Sequence, residues 1–534
     1  MIPNPPLHVL TPFFADEGWR ILSKGLWVGF LLGFAWLILR LTVWTLGERA
    51  GTPRHRMPAG IRLLVWVGIG ALMVKQAGWQ LLGRQNEAFV GFMQRYDRRE
   101  FNPAHRVRAG KILDRNGHVL VESRVTDSGI RRWYRFGPIF SHLIGYNHPV
   151  YGLSGIESGA RETLLGRELR SRDDLISLGA GLLDRESYAE GPALYTTLDL
   201  PLQRTAYEAL AGRNGSIVIL DVRSGAVRAM ISQPDFDPNR LGPSVFNRSG
   251  SEGGLVNRAI QGRYPPGSVW KVLIAAASRQ KGADRTLPTP PEGFTTSPST
   301  PPIRDHSYYL AKEQGRTWKG YGSLNLDEAL TVSSNVYFAQ LGVLTGAASL
   351  QRAVSGMGFT SPVTLMSGSA PALRLPAIAG DDLSDQRPYA IAQFSIGQGE
   401  LLVSPLQVAM LMAAVGNGGT SMQPRVLESQ PLKPLGRLCT PAVAAQIRSM
   451  MRNVVTSGTG QKMEIPGLPV AGKTGTAEIG QGRNPHSWFA GLVPADTPRW
   501  AFCVLVEEGG YGSASALPIA RDVVETAYRD GFLR

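Results

Sequence analysis

The period of apolar and polar positions changes repeatedly along this chain, and each change predicts an element. Residues 26–46 are almost wholly apolar, broken by Arg40, and are about long enough to cross a bilayer as a helix. Residues 61–82 form a weaker apolar stretch, interrupted by Lys75 and Gln76; it reads as a second span or as an interfacial helix. Strict alternation then takes over from Val107 to Ser123, on both sides of Asp114-Arg-Asn-Gly117. Asn-Gly at that point predicts a hairpin turn with both residues at positive φ. Thr196 to Gln203 opens a helix that runs through Leu210, and Ser216–Val222 and Ala226–Ile231 flank a turn at Arg223-Ser-Gly225 as a second hairpin. Pro265-Pro-Gly267 forces a sharp turn before the apolar run Val272–Ala277, the start of a buried helix. Pro405–Val415 reads as a helix stopped at Gly416-Asn-Gly-Gly419. Val470–Ala477 reads as an edge strand, Ser487–Val493 as its neighbour, Trp500–Val506 as a buried strand and Pro518–Tyr528 as a closing amphipathic helix. The Pro-, Thr- and Ser-rich stretch Leu287–Arg304 is either a loop rimming a cleft or a disordered insertion.

At 534 residues the chain is too long for one core. The pattern divides it into an N-terminal segment (1–25), a membrane region (26–82), a juxtamembrane module (83–195) and a large C-terminal domain (196–534). Arg49, Arg54, Arg56 and Arg62 lie between the two apolar stretches, and the positive-inside rule puts that connection in the cytoplasm. Everything after Leu82 is then outside, although Arg84, Arg95, Arg98 and Arg99 pull the other way. No small-residue cleavage site clearly follows either stretch, so no removed signal peptide is expected. Lys and Arg number 56 against 42 Asp and Glu, a net charge of +14, and the basic residues crowd into Arg84–Arg172. That excess favours a membrane surface or an acidic wall polymer as neighbour. Zinc-ligand spacings, phosphate-binding Gly-rich loops and RNA-binding aromatic motifs are all missing, so no metal and no nucleic acid are expected. Two cysteines, Cys439 and Cys503, do not make a disulfide framework, and whether they pair is open at this level.

The candidate chemistry begins in Arg263-Tyr-Pro-Pro-Gly-Ser-Val-Trp-Lys271. Ser268 and Lys271 stand three residues apart in a first helical turn, so hydroxyl and ammonium share a face and can meet. A serine becomes a nucleophile only with a base. A lysine at its free pKa is neutral in only about one molecule in 2,500 at pH 7, so the base must be buried or placed beside a second cation. Ser-x-x-Lys alone is weak evidence. It is followed, in order, by Ser333-Ser-Asn335 and by Lys473-Thr-Gly-Thr476.

With those three motifs in place, residues 107–528 resemble the class B penicillin-binding proteins, monofunctional DD-transpeptidases of bacterial cell-wall synthesis. Lys111-Ile-Leu-Asp-Arg-Asn-Gly117, Asn257-Arg-Ala-Ile-Gln-Gly262, Asn335-Val-Tyr-Phe338 and Gly397-Gln-Gly399 look like further landmarks of that family. The chain departs from it in having two candidate spans rather than one, and in the shortness of the module before the catalytic domain.

The resemblance implies an α+β fold: an antiparallel sheet covered by helices, a mostly helical subdomain, and a cleft between them. It implies Ser268 as nucleophile, Lys271 as its base and Ser333 as proton relay to the leaving group. Asn335 would position the substrate amide, and Lys473 would attract the substrate carboxylate and lower the pKa of Lys271. Thr474 and Thr476 would bind that carboxylate within the Thr474-Gly475-Thr476 strand, and the backbone N–H groups of Ser268 and Thr476 would form the oxyanion hole. The implied substrates are peptidoglycan stem peptides ending in D-Ala-D-Ala, with β-lactams as covalent mimics and no cofactor. The implied partners are membrane lipid and a polytopic membrane glycosyltransferase, because no glycosyltransferase segment is recognisable before the catalytic domain. The implied location is the bacterial cytoplasmic membrane, catalytic domain outward.

Three rival readings stand beside this one: a DD-carboxypeptidase or β-lactamase-type hydrolase, a β-lactam-sensing membrane receptor, and an idle scaffold. A hydrolase needs a deacylating base; Asp327 and Glu328 are read instead as acids at a helix N-terminus. A His-Glu-x-x-His protease motif that could carry a receptor's signal is missing, and three intact motifs argue against an idle scaffold. Gly25, Gly29 and Gly33 repeat at four-residue spacing on the first apolar stretch, a face suited either to a hairpin with the second stretch or to docking a polymerase.

Overall fold

A computed structural model describes residues 68, 71–72, 107–126, 129–166, 189–246, 253–366, 373–380, 383, 387–480 and 482–532. The two candidate spans fall almost entirely outside them, as do the glycine repeat and the arginines between the spans. Among the described residues no helix is long and apolar enough to cross a membrane. Residues 97–534 form one unit.

Its first layer is a four-stranded sheet of β1 (Ile112–Leu113), β2 (Val119–Thr126), β3 (Gly129–Tyr134) and β4 (Leu194–Tyr195), in the order β3-β2-β1-β4 with β1 and β4 parallel. The hairpin between β1 and β2 corrects the expected turn: Gly117 alone has positive φ, at 86°. The Asp114 side chain holds this turn in place. It is fully buried and accepts from the N–H groups of Asn116 and His118, both at 2.8 Å. It also accepts from Leu200 N–H at 3.1 Å, tying this sheet to the next helix. Arg132 and Glu157 form a buried ion pair at 2.8 Å behind β3.

That next helix is α1 (Leu200–Leu210), capped by the Asp199 carboxylate on Leu202 N–H. It leads into β5 (Gly215–Asp221) and β6 (Val227–Gln233), the predicted second hairpin. Then come α2 (Lys271–Lys281), α3 (Leu326–Val332), α4 (Asn335–Thr345), α5 (Pro388–Ser395), α6 (Pro405–Gly416) and α7 (Pro441–Ser457). The chain returns as β7 (Ala471–Ala477), β8 (His486–Val493) and β9 (Trp500–Val506), and closes with α8 (Ala516–Arg529).

The five strands form one antiparallel sheet in the order β6-β5-β9-β8-β7, so the Lys473 strand lies at an edge, as its sequence predicts. Alternation sorts the two faces. Ile217, Ile219, Phe489 and Val504 pack against α1 and α8, whereas Val218, Leu220, Ala490 and Cys503 face α2 and α6. Helix α6 is buried from Pro405 to Val415, as expected of a helix apolar on all sides. Cys439 and Cys503 are both buried free thiols.

The segment Leu287–Arg304 is structured. Leu287–Thr289 pairs antiparallel with Gly322–Leu324, and Phe294 bridges to Ile303.

Candidate active site

Ser268 stands in a 3-10 turn, Gly267–Trp270, that runs directly into α2 at Lys271. The tight turn replaces the single α-helical first turn expected from sequence, and residues three apart eclipse one another in it. Gly267 makes the turn possible. Its φ is +55°, and a Cβ there would sit 2.4 Å from the Thr476 carbonyl oxygen. Its N–H donates to Gly397 O at 2.9 Å, and a Cβ on Gly397 would strike Gly267 O at 2.1 Å. Gly397-Gln-Gly399 is therefore the backbone seat of the Ser268 turn.

Lys271 is fully buried and its ammonium points into the α3–α4 junction. It donates to Ser333 O and to Asn335 Oδ1, each at 2.7 Å, and lies 3.5 Å from Ser333 Oγ. The Phe338 ring is 5.5 Å away. No hydrogen bond joins Lys271 to the Ser268 hydroxyl among the described residues, so in the free protein the ammonium is held by the second motif rather than by the first. Such contacts are commonly loose until substrate is bound.

Ser333 ends α3 with φ +62°, a strained value for a residue with a side chain. That kink turns its carbonyl to Lys271 and its hydroxyl to Lys473, whose Nζ donates to it at 2.7 Å. Ser334 caps α4 through Tyr337 N–H, and Asn335 Nδ2 donates to Arg304 O at 3.0 Å. On β7, Lys473 is fully buried. Thr474 and Thr476 project from the opposite face of the strand, the first with its hydroxyl 2.7 Å from that of Thr459, the second accepting from Gly512 N–H at 3.2 Å. Gly475 is required because a Cβ there would crowd Val269 Cγ1 at 2.9 Å and Trp488 Cβ at 3.0 Å.

Burial pushes the Lys271 ammonium down to about 7, with the Asp305 carboxylate opposing. Burial, and then the charge of Lys271, push Lys473 well below the usual lysine range. The repulsion expected to act on Lys271 thus bears on Lys473. That depression brings the neutral amine within reach at pH 7, where a free lysine is neutral in only about one molecule in 2,500.

Sequence reasoning missed two participants. Thr459 touches the third motif and carries no local signature. Asp305 is almost fully buried beside Asn335, directly before the helix His306–Glu313, and lies outside all three sequence motifs. The acids of a possible deacylating base lie elsewhere. Glu328 closes a capping box with Asn325, and Asp327 accepts from Asn453 at 2.9 and 3.1 Å. Among the described residues no group of His, Cys, Asp or Glu is placed to hold a metal ion.

Residues 215–525 match the family described as the penicillin binding protein transpeptidase domain. The chain is 30% identical over 456 residues to the peptidoglycan D,D-transpeptidase PbpA of Mycolicibacterium smegmatis, covering 78% of this chain and 88% of the relative. It is 30% identical over 464 residues to the peptidoglycan D,D-transpeptidase MrdA of Acinetobacter baumannii, covering 74% of this chain and 65% of that longer protein. Among solved structures it is similar to the ceftriaxone acyl-enzyme of penicillin-binding protein A from M. tuberculosis, with TM-score 0.70 at 26% identity, over 79% of this chain and 99% of that one. The penicillin G acyl-enzyme of the same protein superposes with TM-score 0.68 at 27% identity, over 79% and 99%.

Proposed function

Since this chain belongs to the penicillin-binding transpeptidase family, we propose that Ser268 is the nucleophile through which it cross-links peptidoglycan stem peptides. It is a serine-type DD-transpeptidase that β-lactams acylate. The observation that carries the residue assignment is the meeting of two buried lysines, from α2 and from β7, at one serine hydroxyl, Ser333 Oγ.

In the first half-reaction Lys271, neutral, takes the proton of Ser268 as Oγ attacks the penultimate D-Ala carbonyl. The N–H groups of Ser268 and Thr476 hold the oxyanion. Ser333, standing between Lys271 and Lys473, passes the proton to the departing amine of terminal D-Ala, and Asn335 orients the donor amide. In the second half the amine of another stem attacks the ester and loses a proton to the same relay, Lys271 returns a proton to the departing Ser268 Oγ, and the serine is left free. The substrate carboxylate docks at Thr474 and Thr476. Its negative charge favours a protonated Lys473, and two neighbouring ammoniums repel, so docking leaves Lys271 as the neutral partner. Substrate binding thereby readies the base.

The placement of Asp327 and Glu328 in the capping of α3 and in a bond to Asn453 supports transfer over hydrolysis, because neither acid is free to activate water. The test is incubation of the purified protein with a stem-peptide donor and an amine acceptor. Transfer product in excess of free tetrapeptide is expected; hydrolysis that ignores the acceptor would move the assignment to a carboxypeptidase.

Residues 26–82 serve as the anchor in the bacterial cytoplasmic membrane and its lipid, residues 83–195 as a pedestal, and residues 196–534 as the transpeptidase domain on the outer side. A polytopic membrane glycosyltransferase supplies the glycan strands. A reporter active only outside the cytoplasm should be active when fused after Arg534 and silent when inserted near Pro53; activity at Pro53 would exclude the two-span arrangement.

A further inference from the structure

We propose that Asp305 is a positioning residue of the acyl-transfer site: its buried carboxylate fixes the Ser334–Val336 backbone and holds the negative charge against which Lys271 exchanges its proton. An aspartate directly before a helix ordinarily caps that helix, and Asp305 precedes His306–Glu313, yet its side chain makes no such bond. It reaches instead to the start of α4. Oδ1 accepts from Ser334 Oγ at 2.9 Å, Asn335 N–H at 2.5 Å and Val336 N–H at 3.1 Å. Charge-assisted bonds to N–H groups at a helix N-terminus are among the stronger local anchors. The neighbouring Arg304 carbonyl accepts from Asn335 Nδ2. Two consecutive residues therefore hold both the backbone and the side chain of Asn335, leaving its Oδ1 turned to Lys271 at 2.7 Å.

Capping alone does not account for the rest of the carboxylate. Asp305 is 3% exposed, and its Oδ2 is buried with no hydrogen-bond partner among the described residues. A buried carboxylate oxygen left unpaired costs more free energy than the uncharged amide of an asparagine cap would. The charge does act on the site. The groups facing Lys271 are Asp305, Lys473 from β7, and the uncharged Ser333, Asn335 and Phe338 around the α3–α4 junction. Asp305 is the group resolved as raising the Lys271 pKa against burial. Without it, Lys271 would lose the carboxylate that opposes its desolvation among the described residues, and the protonated form that it must reach after attack would be disfavoured.

The inference rests on Lys271 as the base, and the experiment separates the two. Acylation of the full chain by a fluorescent penicillin is followed across pH. The wild-type rate should rise through about 7; a wild-type profile with no limb there counts against Lys271 as base, whatever Asp305 does. Asp305→Asn and Asp305→Ser each keep an oxygen for the α4 N–H groups and remove the charge. In both the acidic limb should move down by about one unit, and the plateau should fall about tenfold or more as Asn335 loosens. Asp305→Glu keeps the charge, so its limb should stay in place. Loss by one factor at every pH with an unmoved limb in the neutral variants would reduce Asp305 to a helix cap and overturn the proposal. A limb that moves down in Asp305→Glu would overturn it as well, even where the neutral variants do not fold.

Discussion

Ser268→Ala is expected to abolish covalent labelling by a fluorescent penicillin and to leave the fold intact. The substitution removes one oxygen from a half-buried position whose hydroxyl makes no hydrogen bond among the described residues. The turn around it is held by other atoms: the Gly267 N–H on Gly397 O, and the buried Trp270 against Phe394 at 5.7 Å. Stability should therefore change by less than about 0.5 kcal/mol, the scale of substitutions that remove no packing or buried bond. Labelling should fall to background, because no second hydroxyl occupies the same place; Ser333 Oγ is engaged by Lys473. The check is gel fluorescence beside a thermal melt. Labelling that survives at full stoichiometry in a folded variant would remove Ser268 from the nucleophile's role.

The second large effect is at Lys271. Lys271→Ala should slow penicillin acylation by about two to four orders of magnitude, the range that a positioned base supplies. Alanine also empties a fully buried site and strips partners from Ser333 O and Asn335 Oδ1, so slowness in this variant alone does not separate a missing base from a disordered site. Lys271→Arg separates the two causes. A guanidinium keeps the charge and the donors but stays protonated at any working pH, so it can fill the site without serving as base. A folded arginine variant should be as slow as the alanine one and should lose the rate increase that wild type shows through about pH 7. The sign is fixed by the depressed pKa: the active form is the neutral lysine, so activity is present above that value and lost as pH falls through it. A folded Lys271→Arg that acylates at near wild-type rate would overturn the base assignment.

How far the sequence carried the reading differs from one element to the next. Strands Gly215–Asp221, Val227–Gln233 and Trp500–Val506 lie where alternation and apolar runs placed them, and Ala471–Ala477 is an edge strand as expected. These signals are local: a period of two, a turn residue or a proline before a helix acts within a few positions of itself. The same holds for Ser268, Ser333, Asn335 and Lys473, whose spacing and order were visible as motifs before any contact was known. The Asn116-Gly117 turn marks the limit of that reasoning. Its dipeptide was read correctly as a hairpin, but its geometry was set by Asp114, which the three-dimensional packing buries.

By itself, then, the chain determined many of its strands and helices and the candidates for the reacting groups, because propensity and motif spacing are written in neighbouring residues. Only the tertiary structure decided what those groups can do. Lys271 and Ser333 are 62 positions apart, Ser333 and Lys473 140, and Asp305 lies 30 from Asn335, with nothing local to link them. Burial on all sides draws the pKa of Lys271 to about 7, and the carboxylate of Asp305 keeps it from falling further. Desolvation and Coulomb forces depend on distance through space, so the basicity of this lysine was fixed only when helices and edge strand closed around it.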